Sequence, residues 1–505
     1  MANSEICGAK VSGIKTASNS TVNISNCNIY SNAYGISNNG TINIRSDYDQ
    51  SQYYNRYADL RNTFGNDDVK LWNHWINDGM REGRVASNNC STKIHNNSSY
   101  GIFNSGTVNM PGGSIYSNSY GIYSNNGTIN ISGGTIYNNN NQYPANIEWA
   151  KGAGVMNDGD NATTNISGGT IRDNGWGNVW NNNGTLNVTG GTISQTDGQN
   201  QTTSFGVWNN TTANISGSAD IYGYTTNSNG NVAAAIRNCN TLTVKSANNK
   251  SPSIHGSTFG IDTSSGTTTF EDGAVYENNT GFYCNTGATV NFKKGTVKDN
   301  ISYGLNNNGI TNMTGGTFTG NNIGIRNSAG TTNMSDGAIT KSKQMNIEVY
   351  DGTVNFNGGS ITESGNKGYG IEIQNNGSAT LNQSANIGIN TLGGVRVWAN
   401  GVGRYNVYKG ATTAVGSNGS DIGVYLAAGA SVTVHDDLTS DIKIASMDRY
   451  LGKVIASCDN KEVANSAKDH LIVTSNASFT KTTANSKSSE DYGKEVVFRQ
   501  GNGSN

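Results

Sequence analysis

The chain is short of several things at once. Its 505 residues include 3 prolines, 6 cysteines and 5 histidines, and only 13% are Asp, Glu, Lys or Arg. An ordinary soluble domain carries about 25% charged residues. The scarcity of proline excludes collagen and proline-rich linkers. Six cysteines are too few for a disulfide framework. The histidines fall at 74, 95, 255, 435 and 470 with no metal spacing, and neither Cys-x-x-Cys nor His-Glu-x-x-His occurs, so no metal and no cofactor is implied. No run of about 20 apolar residues exists, which excludes a membrane-spanning helix. A formal net charge of −2 gives no general pull towards nucleic acid or an anionic membrane. Low charge with regularly placed Ile, Val and Tyr also argues against disorder, which usually needs high net charge.

What is abundant is glycine (66 residues), with Asn, Ser and Thr, and these recur in order. One phrase reads Thr21-Val-Asn-Ile24, Thr41-Ile-Asn-Ile44, Thr107-Val-Asn-Met110, Thr128-Ile-Asn-Ile131, Thr185-Leu-Asn-Val188, Thr289-Val-Asn-Phe292 and Thr353-Val-Asn-Phe356. Gly-Gly-Thr-Ile or a close variant often follows, and then Tyr-Gly-Ile-x-Asn-Asn-Gly, as at Tyr34 and, with Ser124 added, at Tyr120. Threonines 107 and 128, and 332 and 353, stand 21 residues apart. Such a period marks a solenoid or array. Alternation places Val22 and Ile24 on one face and Thr21 and Asn23 on the other. About 21 residues suit three short strands with tight Gly/Asn turns. The pattern predicts an all-β fold, a single-stranded parallel β-helix of roughly sixteen coils. Asparagine and threonine rows are expected to point outward or to cap turns.

The phrases Gly-Thr-Ile-Asn-Ile-Ser-Gly-Gly-Thr-Ile (127–136) and Tyr-Gly-Ile-Tyr-Ser-Asn-Asn-Gly (120–127) resemble the repeats of right-handed parallel β-helices in large bacterial surface proteins of the pectate-lyase-like superfamily. The resemblance covers about residues 10–440. It implies a right-handed coil and a secreted or cell-surface location. It does not select an activity, because lyases, hydrolases, tailspikes and adhesins share the fold.

Residues 46–87 interrupt the pattern with twelve charged side chains in 42 residues and seven aromatics. Tyr53, Tyr57, Leu60 and Phe64 form one helical stripe, and Trp72, Trp75, Ile76 and Met80 form a second. Asn66 is placed to cap the second helix, ahead of Asp67 and Asp68. The expectation is an inserted helical hairpin with its own aromatic core. Its wording resembles a short module of secreted and cell-surface proteins, to which no chemistry attaches. The chain then divides into first coils (1–45), the insert (46–87), the main β-helix (88–410), and terminal coils with a closing cap (411–505). The opening residues carry no charged segment followed by an apolar core and already read as coil, so the sequence is expected to be part of a longer secreted polypeptide. With the insert excised, Cys27 and Cys90 fall on adjacent coils, within reach of a disulfide or of a buried thiol stack.

The residue after Gly-Ile faces outward. Coil by coil it reads Phe103, Tyr123, Met156, Trp180, Trp208, then Arg237, Asp262, Tyr283, Asn306, Arg326, Glu348, Glu372 and Arg396. The first five are apolar on consecutive coils, and the long loop 138–152 with Tyr143 and Trp149 could wall them. Phe103, Tyr123, Trp149, Trp180 and Trp208 are the candidate glycan-binding residues, the competing reading being a ladder that stabilises itself by stacking. Glu348 and Glu372 on adjacent coils are candidate catalytic carboxylates, set against a solvated Arg-Glu-Glu-Arg surface ladder. Two functions follow. One is an adhesive or structural rod that binds a polysaccharide or a surface protein. The other is a polysaccharide-degrading enzyme on the same fold. Ice binding by outward Thr-x-Asn rows is a third, opposed by the long loops and the variable face.

Overall fold

The structure is a computed structural model. It describes residues 1–140, 152–196, 205–225, 233–365, 368–382, 385–398, 404–409, 412–413, 416–417, 422–448, 453–473, 479–483 and 495–500. The chain forms two compact units, Met1–Ile261 and Asp262–Asn505. It is a parallel β-solenoid of about 17 turns, with 54% strand and 8% helix. Among the described residues no helix is long and apolar enough to cross a membrane.

In the first unit each turn has three strands, as in Ser114–Tyr116, Tyr120–Ser124 and Thr128–Tyr137. The last of these runs through its corner into the next turn. Every strand pairs in parallel with its equivalent one turn away, and the apolar positions stack. Ile94, Ile115 and Ile136 form one column. Ile36, Ile102, Ile122, Val155, Val179, Val207 and Ile236 form a second. All of these are at most 1% exposed. Each such burial stabilises the turn by about 1.5–3 kcal/mol relative to exposure, so the coil repeat is also an energetic repeat.

The glycine of Tyr-Gly-Ile has a packing reason. A Cβ on Gly101 would lie 2.6 Å from the Gly121 carbonyl oxygen and 2.9 Å from Ile115 Cγ2. At the Gly-Gly corner Gly134 holds φ +79°, a left-handed conformation that favours glycine.

Asparagine has a larger interior role than its polarity suggests. Asn32, Asn97, Asn118, Asn139 and Asn174 are at most 2% exposed. Each amide NH2 donates to the next asparagine oxygen, at 3.1, 2.9, 2.9 and 2.9 Å. A second buried column runs along the ends of the Tyr-Gly-Ile strands, where Asn38 donates to Asn104 and Asn181 to Asn209. The Thr-x-Asn column, from Asn23 to Asn214, follows the expected outward row. Buried amides are tolerated because neighbouring turns satisfy them.

The insert leaves after Thr41–Ile44 and returns at Lys93–His95. It is not a two-helix hairpin. It has three short helices, Gln50–Arg56, Ala58–Phe64 and Asp68–His74, the last continuing into a π-helical turn, Trp75–Gly79. The first expected stripe breaks at Tyr57, which is extended at φ −121° and ψ 110°. The Tyr57 hydroxyl accepts the Val85 N–H there. Asp67, not Asn66, caps the third helix by accepting the Lys70 N–H. Tyr53, Leu60, Leu71, Trp75, Met80 and Ala86 make the expected miniature core.

The second unit repeats the three-strand turn, with Phe270 stacked on Phe292 at 5.1 Å and Phe318 tilted against Phe292 at 4.9 Å between ring centres inside it. Leu471–Val473 continues the parallel pattern against Ile442–Ser446. Glu495–Gln500 then pairs antiparallel with Val454–Cys458 and with Phe479–Thr483. An unexpected helix, Lys461–His470, is capped by Asn460 and buries Val463, Ala464 and Ala467.

Candidate functional site

Strand register aligns the outward row of the first unit. Phe103 pairs with Tyr123, Tyr123 with Met156, Met156 with Trp180, Trp180 with Trp208, and Trp208 with Arg237. The row divides in two at Met156, which is 6% exposed and so is not part of an open strip.

On one side the rings are parallel. Tyr34 and Phe103 stack at 5.8 Å with planes 16° apart, and Phe103 and Tyr123 at 5.7 Å and 15°. Tyr100 and Tyr120 fill in beside them. Parallel stacking turns ring faces towards each other and leaves edges for solvent. Phe103 and Tyr123 therefore form a ladder. Burial, and then a hydrogen bond to Asp158, pushes the Tyr123 phenol well above its ordinary range.

On the other side the rings are inclined. Trp176 and Trp180 cross at 67°, Trp176 and Trp208 at 41°, Trp180 and Trp208 at 31°, and Phe205 and Trp208 at 67°. Trp176, Trp180 and Trp208 are half-buried and Phe205 is buried beneath them. These half-buried indoles do not cover one another face to face as the parallel rings do. The Arg237 guanidinium lies 5.2 Å from both the Phe205 and the Trp208 ring centre, a cation–π contact that closes this end.

A polar rail runs beside the indoles, two residues further along each strand. Trp208 Nε1 donates to Asn210 Oδ1 at 2.7 Å, Asn210 Nδ2 to Asn182 Oδ1 at 2.9 Å, and Asn182 Nδ2 to Asp158 Oδ1 at 2.6 Å. Asp158 Oδ2 accepts the Tyr123 hydroxyl. Each amide NH2 keeps a second proton, and Asp158 keeps spare lone pairs. Trp176, Phe205, Asp158, Asn182 and Asn210 were not singled out from the sequence. Strand parity carried the signal for the rail, whose members lie two positions past the aromatic row. Trp149 and Tyr143 lie outside the described residues.

Glu348 and Glu372 do pair in register, flanked by Arg326 and Arg396. They are not a solvated surface ladder, being 7% and 6% exposed. Gln374 Nε2 lies between them, 3.3 Å from Glu348 Oε1 and 2.9 Å from Glu372 Oε1. Trp398 Nε1 donates to Glu372 Oε1 at 2.7 Å. The arginines stand at salt-bridge distances of 3.4 and 3.9 Å. Both lie over aromatic rings, Arg396 at 3.5 Å from the Trp398 centre. These rings and guanidinium groups cover the carboxylates. Burial raises the Glu348 carboxyl above its usual range, Arg326 opposes that rise and Glu372 adds to it.

Cys27 and Cys90 are free thiols. Cys27 Sγ is directed to the Ser25 carbonyl at 3.3 Å and Cys90 Sγ to the Arg45 carbonyl at 3.1 Å, so no disulfide joins them. Burial pushes the Cys90 thiol up to about 11. Among the described residues no three His, Cys, Asp or Glu side chains form a group able to hold a metal ion.

The chain matches no family model, and no curated protein matches it.

Proposed function

We propose that the protein is an extracellular, adhesin-type β-solenoid that binds carbohydrate chains on the platform of Trp176, Trp180 and Trp208. The observation that carries this reading is the change in ring geometry along one row. Where rings lie parallel they satisfy one another. Where they are inclined they offer apolar faces beside a rail of amides and a carboxylate. A sugar ring has an apolar face and equatorial hydroxyls, and this pairing suits both. The secreted or surface location rests on the likeness of the repeats to those of bacterial surface proteins. A polysaccharide-degrading enzyme remains the alternative, but the bridging amide and the burial of Glu348 and Glu372 give it no support.

The test is a glycan array on the whole chain and on a Trp180→Ala/Trp208→Ala double variant, with size analysis of any bound polymer. Binding that is lost in the double variant, while the melting temperature stays within a few degrees, is the expected result. A Phe103→Leu variant should lower the melting temperature and leave binding intact. Unchanged glycan binding by a destabilised double variant would reduce the indoles to a second structural ladder. Shortened polymer would move the function to catalysis.

A further inference from the structure

The helical insert does not close fully against the turn that carries it. A cleft of about 390 Å³ remains between them, lined by Arg45, Arg84, Val85, Ser87, Asn88 and Pro111 among others. Its two arginines are in different electrostatic states. Arg84 is doubly paired, to Asp59 at 2.7 Å and to Glu82 at 2.6 Å. Arg45 has no carboxylate within salt-bridge reach among the described residues. Its one side-chain hydrogen bond runs from Nε to Asn23 Oδ1 at 3.2 Å. Among the described residues its two terminal nitrogens have no hydrogen-bond partner, although the residue is half-buried. Asp47, two residues further along the chain, accepts the Ser91 N–H.

The unbonded terminal N–H groups of Arg45 are not sealed from solvent, so they are open to an anionic partner that enters the cleft. Burial lowers the affinity of the guanidinium for the proton, and no neighbouring carboxylate offsets that. Paired terminal N–H groups match the fork of a carboxylate. Arg84 with its two carboxylates carries a net negative charge, so the lone Arg45 guanidinium suits a monoanion better than a phosphate dianion. The remaining wall is mixed. Val85 and Pro111 give an apolar side, and Ser87 and Asn88 supply hydroxyl and amide groups. The segment is also held in place, because Arg56 donates to the Val85 carbonyl and to Asn88 Oδ1, and Gln52 Oε1 accepts the Asn88 N–H.

We infer that this cleft binds a hydroxylated carboxylic acid of the size of one sugar-acid residue, with Arg45 gripping the carboxylate. The site is independent of the tryptophan platform.

Titration calorimetry of the whole chain with sodium glucuronate, glucose and inorganic phosphate tests it. Glucuronate should bind, weaken with added salt, and lose at least about tenfold in affinity in Arg45→Met, with Arg45→Lys intermediate. The Trp180→Ala/Trp208→Ala variant should bind glucuronate as the parent does, which separates this site from the platform. Any of the following results would overturn the inference. One is equal affinity for glucuronate in a folded Arg45→Met chain. Another is binding of glucose as tight as that of glucuronate. The third is phosphate binding more tightly than either, or no glucuronate binding at all.

Discussion

Glu348 and Glu372 share the Gln374 amide and each faces its own arginine, and the ionisation of Glu348 is tied to the stability of the second unit. The raised Glu348 carboxyl is more easily protonated in the folded chain than in the unfolded one. Its stabilising contribution is therefore complete below the unfolded carboxyl value, near pH ~4.3, and is lost as pH rises through the higher folded value. Glu348→Gln keeps the shape and removes the titration. The melting temperature of the variant relative to the parent should thus improve between pH 4 and pH 8. Thermal unfolding at both pH values measures this. A difference that moves the other way would mean that the Arg326 ion pair outweighs the desolvation of the carboxylate. The same residue shows a limit of pattern reading. Parity placed Glu348 outward, and it is outward from the solenoid core. The aromatic and arginine side chains of neighbouring turns then bury it, and their reach is not visible in a two-residue alternation.

At the scale of the strand and its ladder, two kinds of asparagine column can be compared directly. Asn118 donates to Asn139 and to the Ile94 and Tyr116 carbonyls, and its oxygen accepts from Asn97. Asn118→Ala leaves several of those groups unsatisfied in the interior and should cost about 2–4 kcal/mol. Asn109 links Asn43 and Asn130 on the outer face, where water can replace it. Asn109→Ala should cost about 0.5–1 kcal/mol. Denaturant unfolding of the two variants checks the contrast, and equal costs would remove the distinction between ladders. The Ile and Val columns and the three-strand turn were legible because alternation and a fixed period report burial directly. Asn38 lies two residues past Ile36, so parity also placed it inside, but the residue type argued for the surface. Trp176 was hidden for another reason. In register Gly177 stands where the Tyr-Gly-Ile phrase has its tyrosine and Asn178 where it has its glycine, so Trp176 lies one residue ahead of the phrase. The Lys461–His470 helix escaped notice because the repeat wording had faded before it began.

For the molecule as a whole, the solenoid logic predicts how separable the insert is. Turns of a solenoid depend mainly on their nearest neighbours. The insert occupies a corner that other turns close with a few small residues, as in Ile131-Ser-Gly-Gly-Thr135. It brings its own core, built round Tyr53, Leu60, Leu71 and Trp75. The flanking strands, Thr41–Ile44 and Lys93–His95, already pair with their equivalents in the adjoining turns. Replacing residues 45–92 by Ser-Gly-Gly restores the ordinary corner. The shortened chain should keep its β-sheet circular dichroism and melt within about 5 °C of the parent, the shift expected for a change of one or two kcal/mol. It should keep glycan binding at Trp180 and Trp208 and lose glucuronate binding, because Arg45 and every lining residue of the cleft except Pro111 are gone. A chain that fails to fold would mean that the insert braces the first turns. Retained glucuronate binding would place the acid elsewhere on the protein. The expected combination would instead make the insert a detachable recognition device, carried on a scaffold that folds without it.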